Sequence, residues 1–118
     1  MPFDVEYTDQ FETWWETLTP PEQLSISDAV EMLELYGPGL GRPLVGKIKG
    51  SAHPNMKELR PPSGHNRILF MFDPRRAAIL LIGGNKTNRW EEWYEDMIPV
   101  ADQLYEEHLV EIGREERS

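Results

Sequence analysis

The chain has 118 residues, no cysteine and a formal net charge of −9. That length suits one domain with a substantial core, and the absence of thiols excludes disulfides and thiolate metal sites. Strong acidity is unusual for a nucleic-acid-binding protein, because such proteins mostly carry excess Lys and Arg. The sequence shows no secretory leader and no apolar run of membrane-spanning length, so we expect one cytoplasmic domain over residues 1–118 with no membrane association.

The charges are segregated along the chain. Residues 1–41 contain nine acids and no Lys or Arg, whereas residues 42–89 contain ten Lys or Arg and only two acids. Residues 90–118 contain ten acids and two Arg. The pattern predicts a basic working surface between acidic flanks. We favour this interpretation over merely solvated charge blocks because the basic block coincides with the predicted sheet.

The first acidic flank predicts a strand followed by two helices. Residues 3–7 alternate between apolar and polar types, as a short strand does, and residues 11–18 carry apolar side chains at helical spacing. Thr19 can cap the second helix, and Glu22 completes a capping box with it. Gly37 is placed to end that helix.

The basic block predicts the rest of a sheet, and the second acidic flank predicts a helix. The expected strands span residues 44–49 (irregular), 56–60, 66–72 and 77–82. A final helix is expected over 91–112, with a break or kink at Pro99. The order β-α-α-β-β-β-α predicts an α+β fold: a small antiparallel β-sheet with a helical hairpin on one face and a C-terminal helix at the sheet's end or on its open face.

Strand alternation predicts which side chains face away from the helical hairpin. The expected core-facing set is Leu59, Ile68, Phe70 and Phe72. Arg60 and Arg67 then point the other way and lie directly across from each other. Like charges in this position are destabilising unless an anion or a partner offsets them.

A third cation is expected on the same face. With a turn at residues 73–76, Arg67 should lie opposite Ile82, and Lys86 should follow at the same parity. Arg60, Arg67 and Lys86 on one solvent-facing surface would form a clamp for a phosphodiester.

Other candidate residues are less sharply specified. Lys57 should lie at the rim of the sheet, and His53 precedes it in a loop as the best-placed titrating group; either could instead be an ordinary surface residue. Trp90, Trp93 and Tyr94 begin the last helix, where they could stack on bases or pin the helix to the sheet. The expected RNA-binding set is Lys47, Lys49, Arg89, Trp90 and Tyr94. No residues have the spacing of a metal site.

Five segments of the chain resemble those of a known family. They are Ile48-Lys49-Gly50-Ser51, Met56-Lys57-Glu58-Leu59-Arg60, Arg67-Ile68-Leu69-Phe70, Ala78-Ile79-Leu80-Leu81-Ile82-Gly83-Gly84-Asn85-Lys86-Thr87 and Ile98-Pro99-Val100-Ala101-Asp102. In their order and spacing, from Phe3 to Leu109, the chain resembles the RelE/ParE superfamily of toxins from bacterial toxin–antitoxin systems. The similarity is strongest to the HigB-like, phage-derived branch.

The resemblance implies a RelE-like fold and mRNA cleavage, typically on translating ribosomes, without a metal or cofactor. In that reaction the ribose 2′-OH attacks its own 3′-phosphate, which needs a base, a charge clamp and an acid. By position, Arg60 and Arg67 resemble the phosphate clamp, Lys57 and Lys86 resemble further basic residues of the site, and His53 is a candidate acid or base. The implied partners are mRNA, the ribosome and a helix-turn-helix antitoxin, with a homodimer or a heterotetramer as possible assemblies.

Two other functions are left open by the sequence. One is a ParE-like inhibitor of DNA gyrase that cuts nothing, and the other is a non-catalytic binding module on the same fold. Arg60, Arg67 and Lys86 together favour the ribonuclease, because a gyrase inhibitor needs no phosphate clamp. The overall acidity favours the binding module.

Overall fold

A computed structural model of the protein describes residues 2–62, 64–87 and 90–117, apart from the side chains of residues 90 and 117. The strands are β1 (Val5–Tyr7), β2 (Val45–Lys47), β3 (Lys57–Leu59), β4 (Asn66–Phe72) and β5 (Ala78–Asn85). The helices are α1 (Asp9–Trp15), α2 (Pro20–Tyr36) and α3 (Trp90–Arg117), with a short 3₁₀ helix at Gly37–Gly39. No helix within the described ranges is both long and apolar enough to cross a membrane.

Side-chain caps begin the two helices of the hairpin. Thr8 caps α1 by accepting a hydrogen bond from the backbone N–H of Phe11 at 3.0 Å. The predicted capping box of α2 is confirmed, because Thr19 accepts from the N–H of Glu22 and the Glu22 carboxylate accepts from the N–H of Thr19. Helix α2 ends before Gly37, which has a φ of +54° that favours glycine.

The five strands form one mixed sheet in the order β1-β5-β4-β3-β2. Strands β2 to β5 form the predicted antiparallel meander, and β1 joins it as an edge strand parallel to β5, which the sequence did not predict. The reason is the path of the hairpin. Helices α1 and α2 carry the chain from one edge of the sheet to the other, which leaves β1 beside the last strand.

Strand β5 extends three residues beyond its predicted end at residue 82 because of two glycines. A Cβ at Gly83 would overlap the ring of Trp14, and a Cβ at Gly84 would overlap the ring of Trp93. The missing side chains let an aromatic ring lie against each face of the strand. The strand can therefore continue to Asn85 between two packed layers.

The sheet lies between the hairpin and α3. The core on the hairpin side contains Phe11, Ile26, Ala29, Leu33, Val45, Leu59, Ile68, Phe70, Ala78 and Leu80, with Phe72 partly buried against it, as the alternation predicted. Helix α3 covers the other face, where Leu69 and Leu81 meet Trp93 and Leu104. The helix continues through the exposed Pro99 without the predicted break, because residues on both sides of it pack on the sheet.

Asp73 ties the β4–β5 turn to α3. Its side chain is fully buried and accepts hydrogen bonds from the Arg75 guanidinium at 2.7 Å and from the N–H of Ala77 at 3.1 Å. The Nε2 of His108 on α3 lies 2.9 Å from the same carboxylate. Burial alone would raise the pKa of Asp73, but the hydrogen bonds from His108, Arg75 and Ala77 outweigh it and hold that pKa below its usual value.

We therefore expect Asp73→Asn to lower the free energy of unfolding at neutral pH by about 1–3 kcal/mol, since it weakens a buried hydrogen-bond network. Because the pKa of Asp73 is lower in the folded state, the contribution of its charge is present above about pH 4 and is lost as pH falls through the folded pKa. Urea denaturation should show the difference between parent and variant shrinking in acid. The exposed Asp28→Asn serves as control, and an Asp73→Asn effect equal at pH 7 and pH 3 would contradict the linkage.

Candidate functional site

Arg60 and Arg67 lie side by side on the face of the sheet that α3 covers. The β3–β4 ladder ends at the pair of Leu59 and Ile68, next to these two residues, and both guanidinium groups lie within 3.9 Å of the Glu58 carboxylate, which agrees with their predicted juxtaposition. The two side chains are less exposed than the predicted solvent-facing surface requires. Only 34% of the Arg60 side chain and 14% of the Arg67 side chain are exposed, because α3 packs beside them.

Lys86 reaches the same face through a register that differs from the predicted one. Arg67 pairs with Gly84 and not with Ile82. The β4–β5 turn is one residue longer than expected, and a bulge within the ladder adds another residue. Two single-residue shifts restore the parity, because side chains alternate with a period of two, so Lys86 still follows on the face of Arg67.

A buried carboxylate, that of Glu58, lies at the centre of these cations. Its Oε2 accepts hydrogen bonds from Nε and Nη2 of Arg60 at 3.2 and 2.9 Å, and its Oε1 accepts one from the Tyr94 hydroxyl at 2.6 Å. The Nε of Arg67 lies 3.9 Å from Oε1. The two arginines thus share one counter-ion, which offsets the like-charge repulsion across the strands.

Glu58 was not among the predicted site residues, although the sequence carries a signal for it. Alternation puts Glu58 on the same face as Arg60, two residues away. Glu58 is also one of only two acids in residues 42–89. An acid on the cationic face of a basic block is a candidate counter-ion.

Lys86 and Tyr94 complete the cationic cluster, which consists of Glu58, Arg60, Arg67, Lys86 and Tyr94. The pKa values of Lys86 and Tyr94 are shifted. Lys86 is 4% exposed, and its Nζ donates a hydrogen bond to the Tyr94 hydroxyl at 3.4 Å. Burial and the nearby Arg67 charge lower the pKa of Lys86, against the opposing effect of Glu58. Burial and the hydrogen bond to Glu58 raise the pKa of Tyr94, so its phenol stays protonated at neutral pH. Lys86 can therefore release a proton more readily than an ordinary lysine.

These side chains line a cavity of about 540 Å³. The lining residues are Lys47, Ile48, Lys49, Glu58, Arg60, Arg67, Lys86, Tyr94 and Ile98. Five of them are basic and one is acidic, so the cavity favours anions strongly. Lys47 and Lys49, expected from the sequence to contact RNA, are exposed at its edge. The volume falls within the range of roughly 300–1,000 Å³ that is usual for ligand sites.

Residues 13–106 match the family described as "Phage derived protein Gp49-like (DUF891)". The chain belongs to this family. It is 49% identical over 100 residues to HigB3, a candidate toxin of Mycobacterium tuberculosis, with 85% of this chain and 88% of that protein covered. The chain is also 54% identical over 86 residues to HigB2, a second candidate toxin of the same organism. That match covers 70% of this chain but only 43% of the longer relative.

The fold of this Gp49-like protein is that of RelE. In the RelE–RelB complex from Pyrococcus horikoshii OT3, the matching chain superposes with a TM-score of 0.59 at 17% identity, covering 73% of this chain and 97% of that one. At such identity the likeness concerns the fold alone. Together with the HigB relatives it confirms the resemblance: the chain is a HigB-like member of the RelE superfamily.

The structure does not bring Lys57 into the cationic cluster of this Gp49-like protein, although the resemblance implied a role there. Lys57 pairs with Phe70 and shares its face of the sheet, on the side of the helical hairpin. Its Nζ lies 5.5 Å from the centre of the Phe72 ring. Because neighbouring residues of a strand point to opposite faces, Lys57 and Glu58 cannot serve the same site.

His53 also lies outside the cluster. Its ring packs edge-on against Tyr105 with 5.0 Å between ring centres, and its Nε2 lies 3.9 Å from the Glu106 carboxylate. The preceding loop donates two hydrogen bonds to Asp102, which anchors it to the same part of α3. Tyr105 follows Tyr94 by eleven residues, or about 16 Å along a helix, and His53 is not among the residues that line the cationic cavity.

The aromatic residues at the start of α3 have separate roles. Trp93 is 2% exposed and belongs to the core, so it pins the helix to the sheet and cannot stack on a base. Tyr94 faces the cavity through its hydroxyl. Two further residues were expected to bind RNA. Arg89 lies outside the described residues, and the side chain of Trp90 is likewise not described.

Proposed function

We propose that this chain is the toxin of a toxin–antitoxin system and that it cleaves mRNA on the ribosome without a metal. The observation that carries the proposal is the cavity in which five basic side chains surround one buried carboxylate. Such a site suits a phosphodiester, since the guanidinium groups can hold its two non-bridging oxygens in a bidentate manner. The similarity to HigB3 and HigB2, both candidate toxins, supports the toxin role.

The cluster supplies the groups that the reaction needs. Arg60 and Arg67 stabilise the added negative charge as the 2′-oxygen attacks the phosphorus. Glu58 accepts the proton of the 2′-OH, and Tyr94 positions the carboxylate through its hydrogen bond. Lys86, whose pKa is lowered, donates a proton to the 5′-oxygen as the P–O5′ bond breaks. The products are a 2′,3′-cyclic phosphate and a 5′-OH. This scheme assigns no step to Lys57 or His53.

The direct test is to induce the protein in bacteria and map RNA ends. We expect new 5′-OH ends within translated mRNA, and cleavage by the purified protein of mRNA on programmed ribosomes. Cleavage of ribosome-free mRNA at the same rate would show that the activity does not require the ribosome. Growth arrest with inhibited gyrase and intact RNA would favour the ParE-like alternative, and no effect on either would favour the binding module.

An antitoxin partner and a cytoplasmic location belong to the same proposal. The matching RelE chain was solved in complex with RelB, which supports a partner for this chain. We propose a helix-turn-helix antitoxin encoded beside the toxin, in a heterotetramer, that blocks the cationic cavity. Co-purification from the native operon should recover it, and a toxin that emerges alone would weaken the proposal.

Gly46 provides a way to move Arg60 without changing any charge. A Cβ at Gly46 would overlap the Arg60 guanidinium, which lies at the end of a flexible side chain and can move. We expect Gly46→Ala to displace the guanidinium and to weaken binding of a short single-stranded RNA about tenfold. A change of that size corresponds to the free energy of one charge-assisted hydrogen bond. Fluorescence anisotropy would measure it. Gly41→Ala is the control, since a Cβ there meets nothing within 4 Å, and equal losses in both variants would contradict the prediction.

A further inference from the structure

A second concave surface lies on the hairpin side of the sheet. It is a groove of about 800 Å³ between α1, α2 and the edge strand β1. The sheet separates it from the cationic cavity, because its floor residue Leu80 belongs to the hairpin-side core and Arg67 points to the opposite face. We call this surface the acidic groove, because Glu12, Glu16, Glu31 and Glu34 line it.

The floor of the acidic groove is apolar and partly exposed. Trp15 of α1, Val30 of α2 and Val5 of β1 are half-buried along it, and Ile26 closes it from below. At one end Tyr7 is 58% exposed. Apolar side chains left uncovered in a groove between two helices are typical of a docking surface for a third helix.

The rim of the acidic groove carries charge of one sign. Glu12 and Glu16 line it from α1, and Glu31 and Glu34 line it from α2. Among the described residues that line the groove there is no Lys, Arg or His. Four carboxylates around an apolar floor repel one another unless a positive partner offsets them.

We propose that the acidic groove binds a basic amphipathic helix of a partner protein. Apolar side chains at helical spacing would cover Trp15 and Val30, and flanking Lys or Arg side chains would pair with the glutamates of the rim. The charge segregation supports this occupant, because the cationic cavity on the other face repels a basic segment and the groove attracts it. This surface goes beyond the proposed cleavage activity, which depends on the other face of the sheet.

A second copy of the chain fits the groove less well. Ten of its twelve Lys and Arg lie in residues 42–89, which form strands and loops in the described part of the chain. Its long helix α3 contains ten acids and few bases, so it would be repelled by the rim. We therefore assign the docking helix to a different protein.

The test uses a labelled synthetic peptide of about 18 residues, roughly five helical turns, made of Leu and Lys at amphipathic spacing. Fluorescence anisotropy should detect binding of this peptide to the full chain and none of a matched Leu and Glu peptide. The double variant Glu12→Lys with Glu31→Lys should weaken binding at least tenfold. The control, Glu91→Lys with Glu95→Lys, makes the same change in net charge at exposed positions of α3 and should weaken it far less.

Ser27→Trp tests the floor of the groove without altering its charge. Ser27 is a small lining residue, so the larger ring should fill the groove and abolish binding, while circular dichroism confirms that the variant is folded. Equal weakening by the two charge-reversed pairs would show attraction to acidity in general and overturn the proposal. So would unchanged binding by folded Ser27→Trp, or a dimer in sedimentation that the groove variants dissociate. Cleavage by Ser27→Trp should equal that of the parent, which separates this proposal from the catalytic one.

Discussion

Arg60→Ala and Arg67→Ala should each slow mRNA cleavage by about 10²- to 10³-fold, by analogy with the loss of a hydrogen-bond donor to a developing oxyanion. Both guanidinium groups line the cavity, and the planar fork of N–H donors suits stabilisation of the transition state and not proton transfer. Arg60→Lys should also be strongly impaired, because an ammonium cannot make the two parallel hydrogen bonds of a guanidinium.

Single-turnover cleavage of mRNA on programmed ribosomes would measure these effects. Lys57→Ala is the matched control, since it removes a positive charge from the same strand as Glu58 but on the opposite face of the sheet. His53→Ala should also leave the rate within a few-fold of the parent, whereas a loss of about 10²-fold would restore His53 as the acid or base. Parent-like cleavage by Arg60→Ala and Arg67→Ala would rule out the clamp and favour the binding module.

Glu58→Gln should separate binding from chemistry. The carboxylate accepts two hydrogen bonds from Arg60 and so competes with any phosphate for that guanidinium. Removing its charge should therefore tighten the binding of a short RNA. The same change should slow cleavage by about 10²- to 10⁴-fold, because an amide cannot take the proton of the 2′-OH.

Anisotropy with a non-cleavable 2′-deoxy oligonucleotide would measure the binding, and single-turnover cleavage would measure the rate. Tyr94→Phe loses the 2.6 Å hydrogen bond that positions Glu58 and the 3.4 Å hydrogen bond from Lys86, but it keeps the Glu58 carboxylate. Its rate should therefore lie between those of the parent and Glu58→Gln. Glu91→Gln, an exposed residue of α3, controls for the change in net charge. Cleavage at the parental rate by Glu58→Gln would exclude it as the base, and weaker RNA binding would exclude it as a competitor.

Local patterns in the sequence determined much of the secondary structure and the core of the site. The capping box at Thr19 and Glu22 depends on residues three apart, and alternation within a strand depends on nearest neighbours, so both are readable from sequence. The short β3–β4 connection likewise sets Arg60 beside Arg67. Lys86 joined them despite a wrong register, because a slip of two residues leaves the face unchanged.

Which groups share the site, and how exposed they are, depends on tertiary packing. The packing of α3 on the sheet, which depends on contacts distant in sequence, buries Glu58 and Lys86 and brings Tyr94 to them. The same helix holds His53 against Tyr105, about 16 Å beyond Tyr94 along the helix axis, although His53 is close in sequence to Glu58. Strand β1 lies at the far edge because the hairpin crosses the whole sheet, and that crossing also forms the acidic groove. Non-local packing of this kind leaves no periodic trace in the sequence, so it had to be seen in the fold.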